Sequence, residues 1–212
     1  MAGFTDARQT WDGRYSKAEG FLFGEAPNEW LVAGARYLKP GSRVLSVADG
    51  EGRNGVWLAQ QGMRVTAFDI SPVGVDRARG HAQRAGVRLE LHVVDAGKWV
   101  WEPEAFDAVA AIFIQFAPPE LRARIFEGVA RTLVPGGLLI IEGYGLRQLT
   151  YRTGGPGIAE NLYTMHKLVQ AFDGWQILAS RDVDREVREG AGHSGMSHLV
   201  SLALRKPQPL SP

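Results

Sequence analysis

Residues 43–55 read RVLSVADGEGRNG. Arg43 to Ala48 form a short β-rich run, and the glycine cluster DGEGRNG follows at once. A helical stretch from Asn54 to Gln61 comes next and stops at Gly62. Gly50-Glu51-Gly52-Arg53-Asn54-Gly55 therefore matches G-x-G-x-x-G between a strand and a helix, and Asp69 stands 19 residues past Gly50. That is the spacing of the dinucleotide-binding fingerprint.

Working outward, strand and helix patterns alternate. Met63 to Phe68 is a second strand, ending at Asp69. Ser71–Pro72 is an N-cap with a first-turn proline, and Val75, Ala78, Ala82 and Ala85 fall on one helical stripe closed by Gly86. Val87, Leu89, Leu91 and Val93 alternate with polar residues, as in a half-buried strand. Phe106 to Phe116 is a nearly continuous apolar strand of the kind covered by helices on both faces. Pro119 opens a helix with Leu121, Ile125, Val129 and Leu133 in register, and Pro135–Gly136–Gly137 turns into the strand Leu138 to Glu142. A helix over 160–172 and strands near 175–180 and 198–205 complete the chain. The pattern predicts an α/β, Rossmann-like, doubly wound, mostly parallel seven-stranded sheet with an antiparallel C-terminal hairpin. It forms a single domain over 1–206, with an aromatic lid or helix segment over 1–39 and a disordered tail over 207–212.

The composition excludes several classes. With 45% apolar and 22% charged residues the chain is an ordinary globular mixture. Twenty-four Lys and Arg nearly cancel 23 Asp and Glu, so there is no overall basic field for nucleic acid. The absence of cysteine removes disulfides, thiolate nucleophiles and cysteine-held metals. None of the five histidines makes an H-x-x-x-H spacing, and no metal site is expected. The first residues, MAGFTDARQT, lack an apolar core, and the longest apolar run, Ala108 to Ile114, is far short of the ~20 residues that span a bilayer. A cytoplasmic protein without membrane contact is expected.

In such a sheet, ligands sit beyond the carboxyl ends of the strands. The candidates there are Asp49 to Asn54, Asp69–Ile70, Asp95–Ala96, Gln115–Phe116 and Glu142 to Tyr144. A pyrophosphate in the glycine loop would face Asp49 and Glu51, at a cost on the order of kilocalories. A nucleoside carrying an ammonium and a sulfonium suits the same loop. Trp11, Tyr15 and Phe23 are candidates for an apolar lid over such a cation. Tyr151, in YRTGGPG, and His193, in GAGHSG, lie in glycine-rich segments expected to face the same mouth and to meet the substrate.

The blocks VLSVADGEGRNGVWLA, VTAFDIS, VVDA, FDAVAAIFIQF and LVPGGLLIIEGY resemble a class I S-adenosylmethionine-dependent methyltransferase. GEGRN, with WDGRY and FLFGEAPNEWL upstream, is similar to the tellurite-resistance and thiopurine-type small-molecule methyltransferases. The resemblance covers roughly residues 38–142. It implies that Asp49, Gly50 and Gly52 contact the methionine part of S-adenosylmethionine and that Asp69 binds the ribose hydroxyls. Ile70 would pack on adenine, Asp95 and Ala96 would meet its edge, and Gln115 would sit beside the methionine moiety or the methyl group. Trp11, Phe23, Glu51, Arg53, Asn54 and Ser71 complete the expected cofactor set, with Gln115, Tyr151 and His193 as the catalytic candidates. The family usually has an acid early in the first strand and a glycine before the loop. Here Ser46 and Ala48 stand instead, so Asp49 or Glu51 must take over the ammonium.

The implied reaction is in-line methyl transfer to a small molecule, a soft nucleophile such as a thiol or chalcogen oxyanion that needs no strong base. S-adenosylhomocysteine is the product. Gln115-Phe116-Ala117-Pro118-Pro119 is not the D/N-P-P-Y/F of DNA amino-methylation, which again points away from nucleic acid. A nicotinamide-dependent oxidoreductase and a non-catalytic S-adenosylmethionine-binding module are the alternatives.

Overall fold

The computed structural model describes residues 7–208; the start of the aromatic segment (1–6) and the last four residues of the expected tail lie outside the described residues. The chain runs α1 (Ala7–Lys17), α2 (Glu29–Ala35), β1 (Arg43–Val47), α3 (Arg53–Gln60), β2 (Arg64–Asp69), α4 (Pro72–Arg84), β3 (Glu90–Val93), β4 (Phe106–Ile112), α5 (Pro119–Thr132) and β5 (Leu133–Tyr144). There follow α6 (Gln148–Tyr151), a 3₁₀ turn (Ala159–Asn161), α7 (Met165–Ala171), β6 (Gln176–Glu189) and β7 (His193–Arg205). The seven strands form one sheet in the order β3-β2-β1-β4-β5-β7-β6. Strands β1 to β5 pair in parallel, and β7 runs antiparallel to both β5 and β6. The expected α/β Rossmann-like sheet with its C-terminal hairpin is the observed fold.

Period-two alternation sends neighbouring strand residues to opposite faces. Leu45, Val109, Leu139 and Ile141 pack on one side against Ile125, Phe126 and Val129 of α5. Val44, Ala108, Leu138 and Ile140 pack on the other against Trp30 and Leu31 of α2 and Leu58 of α3. Both faces are thus covered, and the open end of the β1–β4 switch point is left for a ligand. Ser71 caps α4 as expected, its hydroxyl accepting from Gly74 N at 3.0 Å.

Several element boundaries differ from expectation. Strand β5 begins at Leu133, directly after α5, so Leu133 leaves the helical stripe and Pro135–Gly137 lie within the strand rather than in a turn before it. Strand β3 starts at Glu90 rather than Val87. The apolar run 106–116 leaves the sheet after Ile112, because Phe113 takes φ +54° while its N–H donates to Glu142 O at 2.8 Å. The helix expected over 160–172 is split: buried Tyr163 bridges to Gly145, and Thr164 then caps α7. The terminal hairpin is far longer than expected. Its edge strand β6 is charge-rich (RDVDREVRE) with one solvated face, and edge strands of that composition have a weak apolar period and resist unwanted pairing. The stretches 186–189 and 193–196, expected as loop, are paired strand, joined through Gly190–Gly192. Among the described residues no helix is long and apolar enough to cross a membrane.

Candidate functional site

The loop after β1 is held by its own acids. Asp49 folds back, with Oδ1 accepting from Ser46 Oγ at 2.6 Å and both carboxylate oxygens 3.2 Å from Gly55 N at the start of α3. Asp69, at the end of β2, accepts from Gly50 N at 3.0 Å and from Ser71 N at 2.9 Å. Burial pushes the Asp49 carboxyl up to about 7 against the pull of the Ser46 and Gly55 hydrogen bonds, and Asp69 adds to the rise. Burial likewise raises Asp69 to about 6, opposed by its Ser71 and Gly50 bonds. Among the described residues neither acid has an ion pair, and the Arg53 charge opposes the Asp49 rise only as a minor influence. The neighbouring guanidinium, Arg53, is spent on Glu189 (2.7 Å) and on Phe23 O (3.2 Å).

These acids border a cavity of about 600 Å³ at the switch point. Its floor takes Ala48, Gly50, Ile70, Asp95 and Ala96 from the ends of β1, β2 and β3. Its roof is the N-terminal segment: Trp11, Tyr15 and Phe23 all line it. Trp11 stacks on Tyr15 with centroids 5.7 Å apart and lies 6.3 Å from Phe23, with the Arg14 guanidinium 4.5 Å from the Trp11 ring. Tyr15 lies directly on the glycine loop, where a Cβ on Gly50 would come 2.5 Å from its hydroxyl. Asp12 fastens α1 by accepting the Ser71 hydroxyl proton. The mouth is closed by Phe113, Phe116 and Leu121 beyond β4, by Ile158 and Asn161, and by His193 at the start of β7.

Of the expected residues, the cavity brings together Trp11, Phe23, Asp49, Gly50, Arg53, Asn54, Asp69, Ile70, Asp95, Ala96 and His193. Asn54 also accepts from Asn28 N at 2.9 Å. Five others are placed elsewhere. Glu51 turns under the loop, ion-paired with Arg77 at 2.7 Å and accepting from Leu22 N at 2.7 Å, so it faces no ligand. Gly52, at φ +85°, lets α4 approach: a Cβ there would lie 2.8 Å from Ala78 Cβ. Ser71 is fully buried as the α4 cap. Gln115 is a structural clamp, its amide donating to Tyr144 O (2.8 Å) and Asn161 O (3.1 Å) while Oε1 accepts from Tyr144 N. It has no free group for catalysis. Tyr151 ends α6 with its hydroxyl against Asp184 on β6, away from the cavity. Only the far end of its loop, at Ile158, reaches the mouth.

Sequence reasoning missed Phe113, Ile158 and Asn161. The run FDAVAAIFIQF carries no mark of the turn at Phe113, and residues 160–161 read as helix. It also missed Glu189, since a carboxylate within an exposed charged strand carries no signal of its buried partners.

Val44 to Gly137 match the family model for a methyltransferase domain, and the fold is the Rossmann-like one of S-adenosylmethionine-dependent methyltransferases. Among curated relatives, an uncharacterized protein of Mycobacterium tuberculosis is 30% identical over 144 residues, 65% of this chain and 52% of the relative. A ubiquinone biosynthesis O-methyltransferase of Xylella fastidiosa is 34% identical over 102 residues, 48% of this chain and 41% of the relative. A tRNA N(3)-methylcytidine methyltransferase of Drosophila melanogaster is 30% identical over 170 residues, 71% of this chain and 52% of the relative. The chain thus spans about half the length of the curated relatives it matches. A solved structure from work on converting a disulfide bond into a thioacetal group during echinomycin biosynthesis superposes with TM-score 0.78 at 19% identity, covering 96% of this chain and 93% of the other. The N-methyltransferase NodS of Bradyrhizobium japonicum in complex with S-adenosylhomocysteine gives 0.72 at 14%, covering 95% and 98%.

Proposed function

We propose that the protein transfers a methyl group from S-adenosylmethionine to a small-molecule acceptor. One observation carries this reading. Two carboxylates, Asp69 buried and Asp49 partly buried, have no ion-paired cation among the described residues at the nucleotide loop, beneath an aromatic roof. An ammonium bound beside Asp49 supplies the missing charge, and aromatic faces over a sulfonium attract it by ~0.5–2 kcal/mol. Asp69 keeps lone pairs for ribose hydroxyls, Ile70 offers an apolar face to adenine, and Asp95 and Ala96 meet its edge. A pyrophosphate in the same place would add anions to two acids that already resist ionisation, which disfavours the nicotinamide reading.

When bound, the cofactor supplies an electrophilic methyl on a positively charged sulfur. The chain's own work is to bind, to exclude water beneath Trp11, Tyr15 and Phe23, and to align the acceptor, worth up to ~7–11 kcal/mol when the geometry is right. A small acceptor fits the narrow, apolar mouth between Phe113, Phe116 and Ile158 better than a polynucleotide does. Thiols and chalcogen oxyanions need no strong base. The cavity wall nonetheless carries a buried imidazole, which turns the reading toward acceptors with a proton to lose.

Titration calorimetry with S-adenosylhomocysteine and with NADH tests the cofactor. Tight binding of the first and none of the second is expected, and the reverse overturns the proposal. Binding without S-adenosylhomocysteine formation across thiol, oxyanion and hydroxyl acceptors would leave a binding module instead.

A further inference from the structure

Resting on the methyl-transfer reading above, we propose that His193, held by Glu189, is the proton acceptor of the reaction, and that the acceptor is a hydroxyl compound of the flat phenol or enol type.

His193 is the first residue of β7, 8% exposed, and its ring borders the cavity. Nδ1 lies 3.4 Å from Glu189 Oε2, across the turn of the hairpin. That carboxylate is fixed from other directions as well: Arg53 Nη2 donates to Oε2 at 2.7 Å, and Asn28 Nδ2 to Oε1 at 3.1 Å. Asn28 is itself immobile, because its amide also donates to Glu142 (2.7 Å) and its Oδ1 caps α2 at Leu31 N (3.0 Å). Glu189 therefore has one orientation, and so does the imidazole it holds.

The electrostatics fit a base. Burial alone would raise the Glu189 carboxyl, but the His193 hydrogen bond and the Arg53 charge outweigh it and hold the group down at about 2. Glu189 is thus an anion at every working pH and only accepts hydrogen bonds, so Nδ1 carries the imidazole proton and the lone pair lies on Nε2. Burial lowers His193 below the ordinary histidine range, Arg53 and Arg14 add to this, and Glu189 opposes it. The ring is neutral at pH 7. Its other neighbours are Phe23 and Phe113, each with a centroid 4.4 Å away, and Tyr144 at 5.5 Å, whose phenol burial keeps protonated. The charged and titratable groups facing His193 are therefore Glu189, Arg53, Arg14 and Tyr144.

A histidine placed only to pack has no use for an ionised carboxylate clamped by two further donors. One placed to take a proton needs such a carboxylate to set its tautomer and to stabilise the imidazolium. Phe23 and Phe113, which flank the imidazole at the cavity wall, give an aromatic acceptor ring neighbours of its own kind beside the base. As the new O–CH₃ bond forms, the O–H bond breaks toward Nε2. The methyl–sulfur bond gives its electron pair to sulfur, which becomes neutral, and the imidazolium later passes its proton to water. Glu189 stays ionised throughout and is a positioning residue.

The test uses the full chain with ¹⁵N-labelled histidine rings, with and without S-adenosylhomocysteine, and with 4-methoxyphenol and 4-nitrophenol as probes. One resonance pair, assigned by its loss in His193→Gln, is expected to show a protonated Nδ1 and a bare Nε2 into the acid range, and Nε2 is expected to shift when 4-methoxyphenol is added. In turnover, His193→Gln is expected to lose roughly 10²-fold or more on 4-methoxyphenol, yet far less on 4-nitrophenol at mildly alkaline pH, where that probe is already ionised. Should the variant not fold, the wild-type rate on 4-methoxyphenol at saturating S-adenosylmethionine, where the loop acids no longer limit binding, must still drop as pH falls through the depressed His193 value. A protonated Nε2, an Nε2 indifferent to phenols, equal losses on both probes, or a rate that ignores this titration would overturn the proposal. A protein that binds S-adenosylhomocysteine but methylates no phenol overturns the hydroxyl assignment alone. One that does not bind it overturns the methyl-transfer reading.

Discussion

Cofactor binding is expected to expel about one proton near pH 6.5. In the ligand-free protein Asp49 titrates at about 7 and Asp69 at about 6. At pH 6.5 the first is protonated in roughly three molecules of four and the second in roughly one of four, about one proton between them. An ammonium lodged beside Asp49 returns the pair toward ordinary carboxylate values near ~4, and the proton leaves. Release should fade to nearly zero by about pH 8.5 and approach two protons near pH 5. A pyrophosphate would do the opposite, raising both groups further and drawing protons in. Calorimetric titration of S-adenosylhomocysteine in buffers of different ionisation enthalpy reads the number directly, as the slope of observed heat against buffer heat. Asp49→Asn should remove about three quarters of the release at pH 6.5, and Asp69→Asn about one quarter. Zero release, or uptake, at that pH would refute the claim that this site is short of positive charge.

Three further outcomes follow from the same coordinates. Ala48 sits at φ +50°, a left-handed conformation costing an L-residue ~1–2 kcal/mol, of which glycine's greater unfolded-state entropy gives back ~0.4–1; Ala48→Gly should therefore raise stability by about 0.5–1 kcal/mol, seen as a Tm increase of ~1–3 °C. Arg77→Ala leaves Glu51, 4% exposed, with only the Leu22 amide, and should destabilise by about 2–3 kcal/mol in a denaturant titration. Trp11→Ala and Phe23→Ala should each weaken S-adenosylmethionine binding by ~10-fold without lowering the melting temperature by more than a few degrees, and unchanged affinity would dismiss the lid.

The nucleotide floor was legible because its signals are local. Glycines at positive φ after a β-rich run, a capped helix at Ser71–Pro72 and acids at strand ends depend on neighbours in sequence, and the structure brings Asp49, Asp69, Asp95 and Ala96 to one cavity. What stayed hidden depends on side-chain direction or distant pairing. Glu51 and Asp49 are two residues apart in one turn, yet one points under the loop to Arg77 and the other back to Ser46. No pattern distinguishes them, and the acid that borders the cavity beside Asp49 is Asp69, not Glu51. Gln115 looked like a ligand at a strand end, but buried amides must be paired, and two backbone carbonyls take up its donors. His193 was legible as a residue and not as a base, since its partner Glu189 belongs to a strand whose charges otherwise face water, and Arg53 stands 136 positions away.

The segment that matches the methyltransferase domain, 44–137, builds the floor of the cavity, but its roof and the His193 imidazole come from outside that segment. Asn28 joins the three parts. Its N–H donates to Asn54 on the helix of the glycine loop, its amide to Glu142 in the central sheet and to Glu189 beside His193, and its carbonyl caps α2. A side chain with this many partners cannot move without releasing several buried groups, each worth ~1–3 kcal/mol when left unpaired. The cofactor loop and the imidazole are therefore held by one rigid junction rather than by separate mobile loops. On the proposed reading, acceptor choice is expected to be set where that junction ends, at Phe116 and Ile158, which line the mouth without packing on the imidazole, whereas Phe113 lies against His193 and changes there would disturb the base.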